Sequence, residues 1–179
     1  MLGLFGNRSF DRVLEVGYGS GVFLPELARR CRDLYGIDVH DGPQSVAAAL
    51  AKVDVRASLF SASAETMPFG DAFFDAVVAV SSFEFISDFD RASVEIARVM
   101  KPDGAFFVIT PGDSPLLDLG LKILTGADAE RDYQGRRKDV LPALRRHFRV
   151  VDERKGPSSL FCVYRGLELR IGSMPCAGP

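Results

Sequence analysis

Short apolar runs alternate with amphipathic segments along the first 110 residues. Uninterrupted runs rich in branched and aromatic side chains predict strands buried on both faces. They lie at 12–16, 34–39, 76–80 and 105–110, and a weaker alternation at 53–60 predicts one more. Between them, apolar positions recur at helical spacing in 22–31, 45–52 and 92–100. This strand–helix repetition predicts an α/β fold with a doubly wound, mainly parallel sheet.

The two ends of the chain follow different patterns. Residues 138–147 have helical spacing, and the apolar runs at 148–152 and 160–171 flank a turn-forming segment. These runs predict a C-terminal antiparallel hairpin that completes a seven-stranded sheet. Residues 1–11 are short and contain glycine, so we expect a frayed terminus there rather than a flap over a ligand.

Three alternate glycines follow the first predicted strand, at Gly17, Gly19 and Gly21. Glycine permits positive φ and removes the Cβ that would collide with a ligand lying against the backbone. The dinucleotide-binding fingerprint needs glycine at the first, third and sixth positions, but the sixth position here is Val22. The pattern therefore favours a nucleotide-type ligand other than a dinucleotide. A strained turn without a ligand is the alternative.

Asp38 ends the second predicted strand, 17 residues after Gly21. In a β-α-β unit, this position lies beside the glycine turn, where a carboxylate can accept hydrogen bonds from both hydroxyls of a ribose. Alternatively, the carboxylate caps the turn before Gly42 and Pro43. We interpret His40 as an adenine-side or exposed residue rather than a catalytic one.

Bulk properties narrow the classes of function. The chain has 179 residues, 47% of them apolar, which suits one domain. A net charge of −2 and an isoelectric point near 5.7 argue against binding to nucleic acid or anionic membranes. Its three cysteines form neither a metal-binding spacing nor a disulfide framework. Without a recognisable signal peptide or an apolar run long enough for a membrane span, we expect a cytoplasmic monomer or weak homodimer with no metal.

Several further motifs occur in a characteristic order. The sequence Ala-Glu-Thr-Met-Pro-Phe occupies 64–69, Phe-Asp-Ala-Val-Val occupies 74–78, and Glu-Ile-Ala-Arg-Val-Met-Lys-Pro-Asp-Gly occupies 95–104. Together with Glu15 and the glycines, they make residues 12–112 resemble the small-molecule branch of the class I S-adenosylmethionine-dependent methyltransferases. The resemblance implies a Rossmann-like fold, S-adenosyl-L-methionine as cofactor and a small-molecule methyl acceptor as partner.

The resemblance also implies a set of cofactor-binding residues. The glycine motif would lie against the methionine part of the cofactor, Asp38 would bind the ribose, and Val39 would lie beside the adenine. The full set is Glu15, Gly17, Tyr18, Gly19, Gly21, Asp38, Val39, Ser63, Ala64, Glu65 and Ser81.

The chain departs from the family pattern at three places. Ser63 occupies the position where the family has an acid facing the adenine amino group, so we expect a weaker contact there. The loop after the fourth strand has Phe83-Glu84-Phe85 where relatives often have Leu-Glu-His. Few residues precede the first strand, where many relatives carry helices that close over the site.

Methyl transfer from a sulfonium is an in-line displacement that requires alignment rather than a nucleophilic residue or a metal. No catalytic residue is identified, but Glu84 is a candidate for the substrate side; a solvent-exposed acid at a helix entry is an equal alternative. We predict a single domain over 1–179. It would comprise a cofactor-binding core at 12–112, a substrate-side insertion and helix at 113–147, and a hairpin at 148–171. A cofactor-binding protein without turnover is the second hypothesis, and a nicotinamide-dependent oxidoreductase is a less favoured third.

Overall fold

The structure is a computed structural model that describes residues 2–111, 137–157 and 162–172. Five α-helices lie within these ranges: α1 (Leu2–Phe5), α2 (Leu24–Ala28), α3 (Pro43–Ala51), α4 (Phe89–Val99) and α5 (Arg137–His147). The strands are β1 (Phe10–Val16), β2 (Cys31–Asp38), β3 (Ser58–Ser61), β4 (Phe74–Val80), β5 (Met100–Pro111), β6 (Phe148–Pro157) and β7 (Cys162–Ile171). A short 3₁₀ helix occupies Phe83–Phe85.

The seven strands form one sheet in the order β3-β2-β1-β4-β5-β7-β6. Strands β1 to β5 pair in parallel, whereas β7 is antiparallel to both β5 and β6. The predicted fold, a mainly parallel seven-stranded sheet with a C-terminal hairpin, is therefore confirmed. Strand β6 extends through Pro157, beyond the predicted end at 152.

Both faces of the sheet are buried. Along β5, Phe106 and Val108 belong to one apolar core, whereas Phe107 and Ile109 belong to the other. A strand that contacts a core on each side has few positions for a polar side chain. This two-sided burial explains why the central strands are uninterrupted apolar runs in the sequence.

The predicted bounds of the second helix and of the third strand are wrong. The helix after the glycine turn is only Leu24–Ala28, and Cys31 opens β2, where it pairs with Phe10 of β1. Because Cys31 follows Leu27 at helical spacing, the sequence pattern fits a helix as well as a strand. Pairing with Phe10 places Cys31 in the strand. The third strand is Ser58–Ser61 rather than 53–60, since Asp54 has a left-handed φ of 55° that interrupts an extended chain.

The N-terminal segment is ordered, so the expectation of a frayed terminus is also wrong. Leu4 and Phe5 are buried, and the Phe5 ring centroid lies 4.4 Å from that of Phe107. Arg8 donates to the Phe5 carbonyl at 3.0 Å and forms an ion pair with Glu168 at 2.8 Å. These contacts hold the N-terminal segment against the sheet.

The proposed division of the domain is described only in part. Helix α5 and the hairpin lie where they were predicted, but residues 112–136 are outside the described ranges. The assignment of 113–147 to the substrate side stays a prediction.

Candidate functional site

A cavity of about 450 Å³ lies at the carboxyl ends of β1, β2 and β4. Strand β1 is flanked by β2 on one side and β4 on the other, so the order of strands reverses at this point. Ligands of open α/β sheets bind at such a switch point. The lining residues are Val16, Gly17, Gly19, Ile37, Asp38, Val39, Ala62, Ser63, Ala64, Glu65, Ser81, Ser82, Phe85, Ile86 and Ser87.

All three glycines of the turn have positive φ, but the surroundings of their Cβ positions differ. A Cβ on Gly17 would lie 2.3 Å from Cβ of Ser82, and one on Gly21 would lie 2.6 Å from Cγ1 of Val46. Gly19, with φ +50°, has no atom within 4 Å of that position. Gly17 and Gly21 therefore permit close packing of the turn against the fold, whereas Gly19 presents bare backbone to the cavity.

Asp38 lines the cavity and is half-buried. Its Oδ2 accepts a hydrogen bond from the Gly19 N–H at 2.7 Å, and its Oδ1 accepts one from the His40 N–H at 3.2 Å. Among the described residues, no cationic side chain forms a salt bridge with it. Because each carboxylate oxygen can accept more than one hydrogen bond, Asp38 retains capacity for a vicinal diol.

The turn at 63–65 forms another wall of the cavity. The Ser63 hydroxyl accepts a hydrogen bond from the Glu65 N–H at 3.1 Å, and Glu65 Oε1 accepts one from the Asp88 N–H at 2.7 Å. Asp88 is also the N-cap of α4, where its side chain accepts from the Arg91 N–H. The turn is thus fixed to the start of α4, with Ser63 facing the cavity.

Glu15 lies next to the cavity wall but is buried, with an exposed fraction of 1%. Burial, with a smaller contribution from the charge of Asp38, raises the pKa of Glu15 to about 8. The carboxyl group is therefore mostly protonated at neutral pH. Its Oε2 has no hydrogen-bond partner among the described residues.

The cavity brings together most of the predicted cofactor residues. Gly17, Gly19, Asp38, Val39, Ser63, Ala64, Glu65 and Ser81 line it. Glu15, Tyr18 and Gly21 do not: the Tyr18 ring lies in the core against His40, with ring centroids 5.0 Å apart. A role of these three residues in cofactor binding stays a prediction.

Ser82 is a cavity residue that the sequence reasoning missed. Its hydroxyl donates to the Val16 carbonyl at 2.6 Å, which brings the end of β4 against Gly17. The preceding residue, Ser81, has a positive φ of 47°, a conformation that is uncommon for non-glycine residues. A pair of small polar residues directly after the apolar run at 76–80 was the available signal.

Glu84, the substrate-side candidate, is buried in the 3₁₀ helix with an exposed fraction of 2%. The alternative of a solvent-exposed acid is therefore wrong, because the adjacent Phe83 carries this turn into the core. Contact between Glu84 and an acceptor stays a prediction. Phe85, the next residue, lines the cavity.

Two negative findings concern the described parts of the chain alone. No group of three or more His, Cys, Asp or Glu side chains is arranged there to hold a metal ion. None of the helices in these ranges has the length and apolar character needed to cross a membrane.

A family model described as a methyltransferase domain matches residues 14–108, a little over half of the chain. The matched region contains the glycine turn, Asp38 and the 63–65 turn, which form the cavity. The chain belongs to the class I S-adenosylmethionine-dependent methyltransferase family.

Curated relatives agree with this family. The chain is 35% identical over 97 residues to the uncharacterized methyltransferase YdaC of Bacillus subtilis, covering 52% of each protein. It is 32% identical over 110 residues to a malonyl-[acyl-carrier protein] O-methyltransferase of Geobacter sulfurreducens, covering 60% of this chain and 41% of that one. The chain thus spans about half the length of the curated relatives it matches.

A solved structure agrees with the fold. The N-methyltransferase NodS of Bradyrhizobium japonicum, in complex with S-adenosyl-L-homocysteine, superposes with a TM-score of 0.66. The two are 18% identical, and the match covers 93% of this chain and 81% of NodS. At this identity the likeness shows the fold alone.

The cavity of this methyltransferase-family chain fits an adenosine-containing cofactor. The space beside Gly19 can accept a ligand against the backbone, and Asp38 can accept the hydroxyls of a ribose. Val39 and Ile37 add apolar side chains to the lining, and contact between Val39 and the adenine stays a prediction.

Proposed function

We propose that the chain is an S-adenosylmethionine-dependent methyltransferase that acts on a small-molecule acceptor. The observation that carries the proposal is the pairing of Gly19, bare towards the cavity, with Asp38, whose carboxylate accepts the Gly19 N–H. The Asp38 carboxylate thus lies beside the open space at the Cβ position of Gly19, which supports a role for Asp38 in binding the ribose hydroxyls. The net charge of −2 supports a small molecule rather than a nucleic acid as acceptor. A cytoplasmic location stays a prediction.

The lining of the cavity suits a positively charged cofactor. S-adenosylmethionine, when bound, supplies a methyl group made electrophilic by a sulfonium. Asp38 and Glu65 give the cavity two carboxylates, and its described lining contains no Lys or Arg. These carboxylates favour binding of the cation, and Asp38 would also fix the ribose. The chain's contribution to the reaction is alignment of the reactants within a partly enclosed site.

Glu84 is our proposed acceptor-side residue. Its neighbours in the chain, Ser82 and Phe85, line the cavity, and its carboxyl group is buried at the same end of β4. A buried carboxyl group there could orient an acceptor or take up a proton from it. Replacement with Gln would lower transfer to the acceptor without changing the affinity for S-adenosylhomocysteine.

Transfer of label from S-adenosyl-[methyl-³H]methionine to a panel of small carboxylic acids, phenols and amines tests the function. We expect one chemical class to accept label and the Gly19→Val variant to transfer none. Binding of S-adenosylhomocysteine without transfer to any class would favour the protein without turnover. Binding of NAD in its place would favour the oxidoreductase.

A further inference from the structure

The two ring nitrogens of His40 have different partners. Nδ1 lies 3.0 Å from the Gly42 backbone nitrogen, and Nε2 lies 3.0 Å from the Gly19 carbonyl oxygen. A backbone N–H can only donate, so Nδ1 must be the acceptor and the ring proton must reside on Nε2. His40 therefore donates a hydrogen bond from Nε2 to the carbonyl of Gly19.

This contact completes a two-sided hold on Gly19. The Gly19 N–H donates to Asp38 at 2.7 Å, and its carbonyl accepts from His40 at 3.0 Å. Asp38 ends β2 and His40 follows it by two residues, whereas Gly19 belongs to the turn after β1. Because both peptide groups that flank the Gly19 Cα are held, its left-handed conformation is fixed together with the open space beside it.

The ring of His40 is itself supported. Tyr18, the residue before Gly19, is buried and packs edge-to-face against the imidazole, with ring centroids 5.0 Å apart. The Nδ1 bond to Gly42 holds the ring from the other side, at the residue that precedes α3. The imidazole is thus constrained where it can orient the glycine turn.

We propose that His40 is a positioning residue for the cofactor: it holds the Gly19 peptide in the conformation that admits S-adenosylmethionine. The inference rests on the proposed function. His40 acts through Gly19 and takes no part in methyl transfer. The competing explanation is that the imidazole only stabilises its own loop through Gly42.

Two conservative substitutions separate these roles. The side-chain amide of Gln can donate from about the position of Nε2, so His40→Gln keeps the bond to Gly19 and loses that to Gly42. The carbonyl of Asn lies near the position of Nδ1, so His40→Asn keeps the bond to Gly42 and loses that to Gly19. The pair therefore tests one hydrogen bond against the other within the same loop.

The experiment is calorimetric titration of wild type, His40→Gln, His40→Asn and His40→Ala with S-adenosylhomocysteine. We expect Gln to remain within about twofold of the wild-type Kd, and Asn and Ala to raise it about three- to tenfold, the loss of one hydrogen bond. Thermal unfolding without ligand checks that each variant is folded. If His40→Asn does not fold, His40→Ala replaces it as the variant that lacks the bond to Gly19.

Equal affinities of Gln and Asn, or a larger loss for Gln, would overturn the positioning role. In either case, binding of S-adenosylhomocysteine by the wild-type protein would leave the proposed function intact. Failure of wild type itself to bind S-adenosylhomocysteine would overturn the proposed function and this inference with it.

Discussion

Asp38 and Asp75 lie on β2 and β4, the two strands that flank β1. Asp38 is at the carboxyl end of β2, whereas Asp75 is near the amino end of β4. Each accepts a hydrogen bond from a backbone N–H: Asp38 from Gly19 at 2.7 Å and Asp75 from Arg12 at 2.8 Å. Asp75 also lies 2.5 Å from Nζ of Lys101, whereas no described cation pairs with Asp38.

The difference separates a carboxylate whose charge is balanced within the fold, Asp75, from one that we propose binds the cofactor, Asp38. Burial opposes ionisation of Asp75, but Lys101 and the Arg12 N–H together hold the pKa of its carboxyl group below the ordinary value. Ion pairs with Arg8 and Arg170 likewise hold the pKa of Glu168 below its ordinary value. Asp38 has no cationic partner among the described residues and lines the cavity.

The largest effect is expected at Gly19, for which the chain offers a matched control. Gly6 has a similar φ, +57° against +50°, and likewise no atom within 4 Å of the Cβ position, but it does not line the cavity. Valine at either position should cost about 1–3 kcal/mol of stability through backbone strain. Gly19→Val alone should abolish binding of S-adenosylhomocysteine in a calorimetric titration. Equal binding by the two variants would show that the glycine turn is only structural.

Glu15 is a buried carboxyl group in β1, so the stability of the fold should depend on pH. Because the pKa of Glu15 is raised from 4.5 to about 8 in the folded state, the native protein retains a proton that the unfolded chain loses. Stability contributed by this proton is therefore present below about pH 4.5 and is lost as pH rises to about 8.

Glu15→Gln should remove this dependence. Relative to wild type, the variant should gain stability on the order of a few kcal/mol between pH 5 and pH 8, measured by urea unfolding. Parallel stability curves across that range would show that Glu15 is ionised in the native protein.

A smaller effect is expected at Asp75. Asp75→Ala should lower the free energy of unfolding by about 1–2 kcal/mol at neutral pH, since it removes a half-buried ion pair and the acceptor for the Arg12 N–H. Since the pKa of Asp75 is depressed, this difference should fade as pH falls below about 4. A constant difference down to pH 2 would mean that the charge of Asp75 contributes nothing.

The smallest effect is expected at Ser63, where a carboxylate would be a stronger acceptor for the adenine amino group. Ser63→Asp should tighten binding of S-adenosylhomocysteine by up to about 1 kcal/mol. Glu65 reduces the gain, because its Oε2 lies 3.4 Å from the Ser63 hydroxyl and would repel a second carboxylate. The control is an analogue with hydrogen in place of the amino group. An equal change for both ligands would show that position 63 does not face that group.

Much of this cavity was predictable because its signals are local in sequence. The sequence has a buried strand followed by alternate glycines, and an acid at the end of the next strand. This pattern predicts that Gly19 and Asp38 lie close together, and both line the cavity. Contacts between distant residues were not predictable. The burial of Phe5 depends on Phe107, the requirement for glycine at Gly21 depends on Val46 of α3, and Cys31 joins β2 through pairing with Phe10.

Glu84 illustrates a second limit. Its sequence neighbours are polar and aromatic in alternation, which fits an exposed loop as well as a turn that packs into the core. Only the position of Phe83 against Phe89 and Phe106 shows that this turn is carried inward. A buried acid in such a turn leaves no signature in the sequence.

Titration of wild type, Asp38→Ala and Asp75→Ala with S-adenosylhomocysteine tests the central claim most directly. Wild type and Asp75→Ala should bind with the same affinity, and Asp38→Ala should bind about 1–3 kcal/mol more weakly, because it loses charge-assisted hydrogen bonds to the ribose. An unchanged dissociation constant in Asp38→Ala, or a loss of the same size in both variants, would contradict the assignment of this cavity to the cofactor.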